Sequence, residues 1–219
     1  MVSAAPIRCS YVAWNADSLR PFNMMPDTIT KSIPRSILTQ TSIALSAFPE
    51  LNEVKIVFQF TNGGAALETM PSFWSVFKKP AKRTYYISIA NKTDKLFEPI
   101  LLKNLSYDAQ IGVLAHELSH VSDFQQFNFI NFVVHAIKYT INGSYGDSFE
   151  YNTDMICIQH GMGFQLLAWS TDTRLKLDLK KIMEKYKFDI TRERYMHPES
   201  IKKAINTMKF YQNATKPCY

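Results

Sequence analysis

The chain has 219 residues, 46% of them hydrophobic and 20% charged, which is enough for one domain with a core of its own. Its 25 basic and 19 acidic residues leave a net charge of +6, with much of the excess in residues 176–194. No aromatic interleaving and no nucleic-acid motif accompanies those charges, so they read as a solvated face and no nucleic-acid partner is expected.

Cys9, Cys157 and Cys218 share no metal-like spacing, and their odd number argues against a disulfide framework. No apolar run is long enough to span a bilayer. The N-terminus shows no charged segment followed by an apolar one, so the expected compartment is the cytoplasm unless a signal peptide has been trimmed away.

In chain order, residues 1–33 read as an irregular N-terminal arm. A helix is expected from about Pro34 to just before Pro49, with Ile37, Ala44, Leu45 and Phe48 on one side. EVKIVFQF (53–60) alternates like a strand, with Val54, Ile56, Phe58 and Phe60 on one face, and Gly63-Gly64 ends it. A loop rich in aromatics and prolines (65–80) follows, then a second strand, TYYISIA (84–90). Ser106 suits a helix N-cap and Asp108 the positive end of the helix dipole. From Tyr107 onward the periodicity directs Ile111, Leu114, Leu118 and Val121 at a core.

A helical insert is expected over 127–146. In FNFINFVVHAIKYTI (127–141), Asn128, Asn131, His135 and Lys138 form a narrow polar stripe on an otherwise apolar helix. At roughly 22 Å this helix falls short of a ~30 Å hydrocarbon core. It reads as packed over the preceding helix, with a peripheral membrane contact as the alternative. Residues 170–219 read as a helical C-terminal part, and the whole as a single α+β domain, 1–219.

The chemical signal is HELSH, residues 116–120. Helix positions four apart lie one above the other, so His116 and His120 project from one face and two imidazole nitrogens reach one ion. Glu117, one step round, reaches water beside that ion. A catalytic zinc site needs a third protein ligand. The compact extension of the metzincins is absent, because Asp123 and Gln126 stand where it has glycine and a ligand.

Asp147, His135 and His160 are chemically competent third ligands, and Glu150, in SFEYNTDMICIQHG, is the better candidate. Glu150 and Asp154 form ExxxD at helical spacing. One carboxylate can then bind the ion while the other accepts the N–H of a ligating histidine and fixes its tautomer. Cys157 and Gly161 continue that stripe, and their small size favours a close approach to the HELSH helix.

HELSH followed by FEYNTD resembles the gluzincin zinc peptidases, the thermolysin-like and prenyl-protease-like group. The resemblance spans roughly residues 84–165 and rests on these two short motifs. It implies a zincin-like α+β fold, a small twisted sheet packed on the HExxH helix with a mostly helical C-terminal part. It also implies Zn2+ held by His116, His120 and Glu150, with Glu117 as general base and Asp154 orienting a histidine. Thr153 departs from the alanine usual in the prenyl-protease-like enzymes, and Ser119 from the usual glycine or threonine. TYYISIA becomes the expected edge strand, pairing with an extended peptide.

In RERYMHPES (192–200), Arg194, Tyr195 and His197 precede a helix expected from Pro198, and Tyr195 and His197 are the candidates for holding an oxyanion. The implied activity is zinc-dependent hydrolysis of peptide or protein substrates. A zinc-binding protein of the same fold, with a regulatory or binding role and no catalysis, is the alternative.

Overall fold

The computed structural model of the chain describes residues 30–186 and 193–212. The strands are β1 (Lys31–Ser32), β2 (Lys55–Asn62), β3 (Leu67–Pro71) and β4 (Thr84–Lys92). The helices are α1 (Leu38–Ser46), α2 (Tyr107–Phe124), α3 (Phe129–Ile141), α4 (Gly143–Cys157), α5 (Gly163–Lys176), α6 (Leu179–Tyr186), α7 (Pro198–Thr207) and α8 (Lys209–Gln212). A small open sheet thus precedes a mostly helical remainder, a mixed α/β layout.

Strand order is β1-β2-β4-β3, with β2 parallel to β1 and β4, and β3 antiparallel to β4. Alternation turns Ile56 and Phe58 of β2 and Tyr85, Ile87 and Ile89 of β4 to the buried face. Val54 is buried with them, but Phe60 near the end of β2 is exposed. On the outer face Gln59 donates to Ser88 at 3.3 Å.

Two expectations are corrected here. TYYISIA is central to the sheet, and the edge strand beside it is LETMP, inside the stretch expected to be a loop. LETMP escapes a periodicity reading because its inward positions, Leu67, Thr69 and Pro71, include a hydroxyl and a proline, which strands tolerate mainly at an edge. The expected irregular arm also contributes β1, whose Lys31 ammonium donates to the carbonyls of Leu51, Asn52 and Val54 at 2.9, 2.9 and 2.7 Å. The remainder of the arm, with Cys9, and the C-terminal Cys218 lie outside the described residues.

Helix α1 forms as expected, with Ile37, Ala44, Leu45 and Phe48 buried, and it packs on α2. Helix α2 is enclosed between α1, β3, α4 and α5 and buries Ile111, Leu114, Leu118 and Val121. Gly112 permits the closest of these approaches. A Cβ there would lie 2.1 Å from the main-chain oxygen of Gln165 on α5.

Gly161 does not continue the α4 stripe. Its φ of +89° bends the chain between α4 and α5, and only Cys157 of the expected small pair lies within α4. Helix α3 packs on α4 and lies over the end of α2, where Phe124 meets Phe132 and His135 at ring distances of 5.4 and 5.6 Å. Among the described residues no helix is long and apolar enough to cross a membrane.

Candidate metal centre

Helices α2 and α4 cross so that Nε2 of His116, Nε2 of His120 and Oε2 of Glu150 converge. The Glu150 oxygen stands 3.3 Å from each imidazole nitrogen, and all three residues are buried. No hydrogen bond satisfies Glu150 Oε2, so a buried charged oxygen points into the space between two nitrogen lone pairs. A tetrahedral shell with bonds of about 2.0–2.1 Å has edges of about 3.3–3.4 Å. The two Glu150 edges match that shell, all three donor atoms lie within 4.8 Å of one another, and the two-imidazole, one-carboxylate donor set suits a small divalent ion. Among the described residues this is the one such cluster of three ligating side chains.

Each of these three side chains is held from behind. His116 Nδ1 lies 2.8 Å from Asp154 Oδ1, which assigns its proton to Nδ1 and its lone pair to the cluster. The other Asp154 oxygen accepts the main-chain N–H of Met196 at 2.7 Å, tying segment 193–197 to α4. Thr153 gives its hydroxyl proton to the Phe149 carbonyl at 3.0 Å, so its oxygen is free to accept from His120 Nδ1 at 3.3 Å. The departure from alanine at this position thus supplies an outer partner for the second histidine. Tyr139 of α3 donates to the remaining Glu150 oxygen, and Arg194 donates to Tyr139.

Burial disfavours charge on His116, yet Asp154 and Glu150 outweigh it and raise its pKa to about 10, so a cation held by Nε2 would take the place of a proton there. Burial likewise disfavours the charged form of Glu150, and contacts from His116 and His120 outweigh it, holding the carboxyl well below the usual carboxylate range.

Glu117 turns from the same helix turn toward a cavity of about 1030 Å³, which His116, Trp169, Tyr195 and His197 also line. Its carboxylate Oε2 accepts the Thr69 hydroxyl at 2.7 Å. Thr69 reaches it because alternation along β3 turns this residue, opposite Ile87, to the inner face. The Tyr195 ring lies 5.7 Å from that of His116, and the exposed His197 starts α7, its main-chain N–H bonded to Glu193 at 2.5 Å.

Structure thus brings all seven expected site residues, His116, Glu117, His120, Glu150, Asp154, Tyr195 and His197, to one region. It takes the other candidate ligands elsewhere. Asp147 faces Arg194 at 3.8 Å. His135 meets the Tyr145 hydroxyl at 3.0 Å, and burial beside His120 pushes its pKa down to about 4. His160 pairs with Glu50 at 3.1 Å and stacks on Phe48. Thr69 and Tyr139 carry no sequence signal, since their partners lie 48 and 11 residues away with no helical spacing to connect them.

Comparison with protein-family models, with curated proteins and with solved structures found no match to this chain.

Proposed function

We propose that this protein is a zinc-dependent peptidase of gluzincin type on a zincin-like fold. The observation that supports this most is the convergence of His116, His120 and Glu150, the Glu150 oxygen 3.3 Å from each imidazole nitrogen, with Glu117 on the same helix turn, opening to a large cavity. A zinc ion held by these three side chains would supply Lewis acidity toward water and toward a scissile carbonyl.

Glu117 is the general base: it takes a proton from water and returns it to the leaving amine. Thr69 holds Oε2 of that carboxylate, so Oε1 is the atom assigned to the proton. Asp154 and Thr153 keep the two imidazoles presenting Nε2. β3, whose first residue Leu67 lines the cavity, offers an edge on which an extended peptide can pair. Tyr195, whose ring lies 5.7 Å from that of His116, is assigned to the developing oxyanion, with His197 further along the cavity wall.

The deciding experiment measures metal content and cleavage of fluorogenic peptide pools by wild type and Glu117→Gln. About one zinc per chain is expected in both, with hydrolysis lower by roughly 10²–10⁴ in the variant. Cleavage that survives the substitution sinks the general-base assignment. Zinc retained by a wild type that cleaves no peptide makes the protein a metal-stabilised binding protein instead.

A further inference from the structure

We propose that α3 and the turn Phe73–Phe77 form a docking face that seats this protein on the surface of an anionic lipid bilayer. The observation is an apolar platform turned to solvent. On α3, Phe129, Ile130, Val133, Val134, Ile137 and Ile141 fall within an arc of about 140° at 100° per residue. All six are exposed, Ile130 at 68% and Ile137 at 53%, while the helix buries Phe132 and His135. Beside it, Phe73 and Trp74 at the turn are 71% and 76% exposed.

The two elements are one surface. Phe77 and Phe129 are in contact, their ring centroids 4.8 Å apart. Buried Arg83 fixes them underneath, donating to the Lys78 carbonyl at 3.2 Å and the Phe124 carbonyl at 3.4 Å, with its guanidinium 5.8 Å from the Phe132 ring centroid. Isolated exposed hydrophobic residues need no explanation, but a contiguous patch of this kind marks an interaction site.

Charge selects the occupant. Residues 72–83 and 129–141 contain no aspartate or glutamate, whereas Lys78, Lys79 and Lys82, which follow the turn in sequence, and Lys138 of α3 are exposed. Aromatic and aliphatic side chains with lysines beside them match the boundary between acyl chains and negatively charged headgroups. The helix is too short to cross the membrane and lies along its surface. β3 leads from the cavity at Leu67 to the strand end at Pro71, next to the docking turn, so the bilayer lies at one end of the cleft. Binding itself requires no hydrolytic activity.

Flotation of the full chain with vesicles tests this. Vesicles of phosphatidylcholine with about 30% phosphatidylserine should capture the protein, and pure phosphatidylcholine vesicles should capture it at least about tenfold less. Each lysine near the surface contributes on the order of fivefold, so Lys78→Gln with Lys79→Gln should weaken partitioning by about 25-fold. Ile130→Gln with Ile137→Gln should weaken it by about tenfold or more. The vesicle-induced blue shift of tryptophan emission should vanish in Trp74→Phe. These side chains are exposed, and an unchanged circular dichroism spectrum confirms that each variant folds.

No capture by phosphatidylserine vesicles overturns the proposal, as does capture indifferent to the isoleucine pair, which would be simple charge attraction. Self-association in sedimentation velocity that the isoleucine pair abolishes, without vesicle capture, assigns the face to a second copy and overturns it equally.

Discussion

The Thr69 hydroxyl stands within reach of both the carboxylate and the main-chain carbonyl of Glu117, at 2.7 and 3.2 Å. Valine has nearly the same shape and no donor, so Thr69→Val leaves a buried carboxylate oxygen without its partner. A hydrogen bond to a charged group contributes about 1.5–3 kcal/mol, and the variant should lose stability in that range by chemical denaturation. Zinc content should stay unchanged while peptide cleavage falls by about tenfold, and Thr69→Ser should restore both. A valine variant equal to wild type in stability and cleavage would remove Thr69 from the site.

His160 shows how a titrating residue outside the site holds two elements together. Its two ring nitrogens meet the Ile156 carbonyl at 2.8 Å and Glu50 Oε1 at 3.1 Å, an arrangement that suits the doubly protonated ring. Burial lowers its pKa, but Glu50 and Ile156 outweigh that and leave it raised; the Glu50 value is lowered despite burial, through His160 and Ser122. The histidine contribution is therefore complete below its unfolded pKa of about 6.5 and fades as pH rises through the higher folded value. The Glu50 contribution is complete above about 4.5 and fades as pH falls through the lower folded value. The stability difference between wild type and His160→Asn should be greatest at about pH 5–6.5 and shrink toward pH 9. Thermal melts across that range check it, and a difference that grows with pH contradicts it.

At the scale of elements, the HELSH helix is placed by one missing side chain. Gly112 lets α2 touch the α5 backbone, and in Gly112→Ala the new Cβ would lie 2.1 Å from the Gln165 oxygen. Backbone atoms on both sides leave no flexible group to yield, so α2 and α5 must separate, at a cost of about 1–3 kcal/mol or more. Denaturant unfolding should show that loss, and stability equal to wild type would mean that the crossing adjusts freely.

Elements with strong periodicity were readable in the residues themselves: α1, α2, β2 and β4 occupy the stretches their apolar spacing marks. β3 was not, since a five-residue strand with threonine and proline on its inner face carries no apolar alternation. TYYISIA therefore reads as an edge in the sequence, although β2 and β3 flank it on either side. On α3 the expected polar stripe does not act as one face, since Asn128, Asn131 and Lys138 are exposed, and which side faces α4 decides the rest. His135 turned inward and most of the aliphatic residues turned out.

At the scale of the molecule, the three candidate metal ligands come from two helices that are separate in sequence and joined through α3. An ion bound by both cross-links the native state and not the unfolded chain. At free zinc about 100 times Kd the native state gains about 2.7 kcal/mol, equivalent to about 5–10 °C in melting temperature for a chain of this size. Chelation should lower the calorimetric transition by that amount and added zinc should restore it. A transition insensitive to both would mean that the cluster holds no ion in solution.

The sequence by itself determined the two histidines, the intervening glutamate and the ExxxD carboxylates, because i, i+4 spacing is a local property of any helix. It also determined where the principal helices run. Only the tertiary structure decided that Glu150, and not Asp147, His135 or His160, meets both histidines, since that depends on how α2 and α4 cross. It decided too that Thr69, Thr153 and Tyr139 stand behind Glu117, His120 and Glu150. These partners are joined through space by close packing, and no chain spacing encodes such contacts.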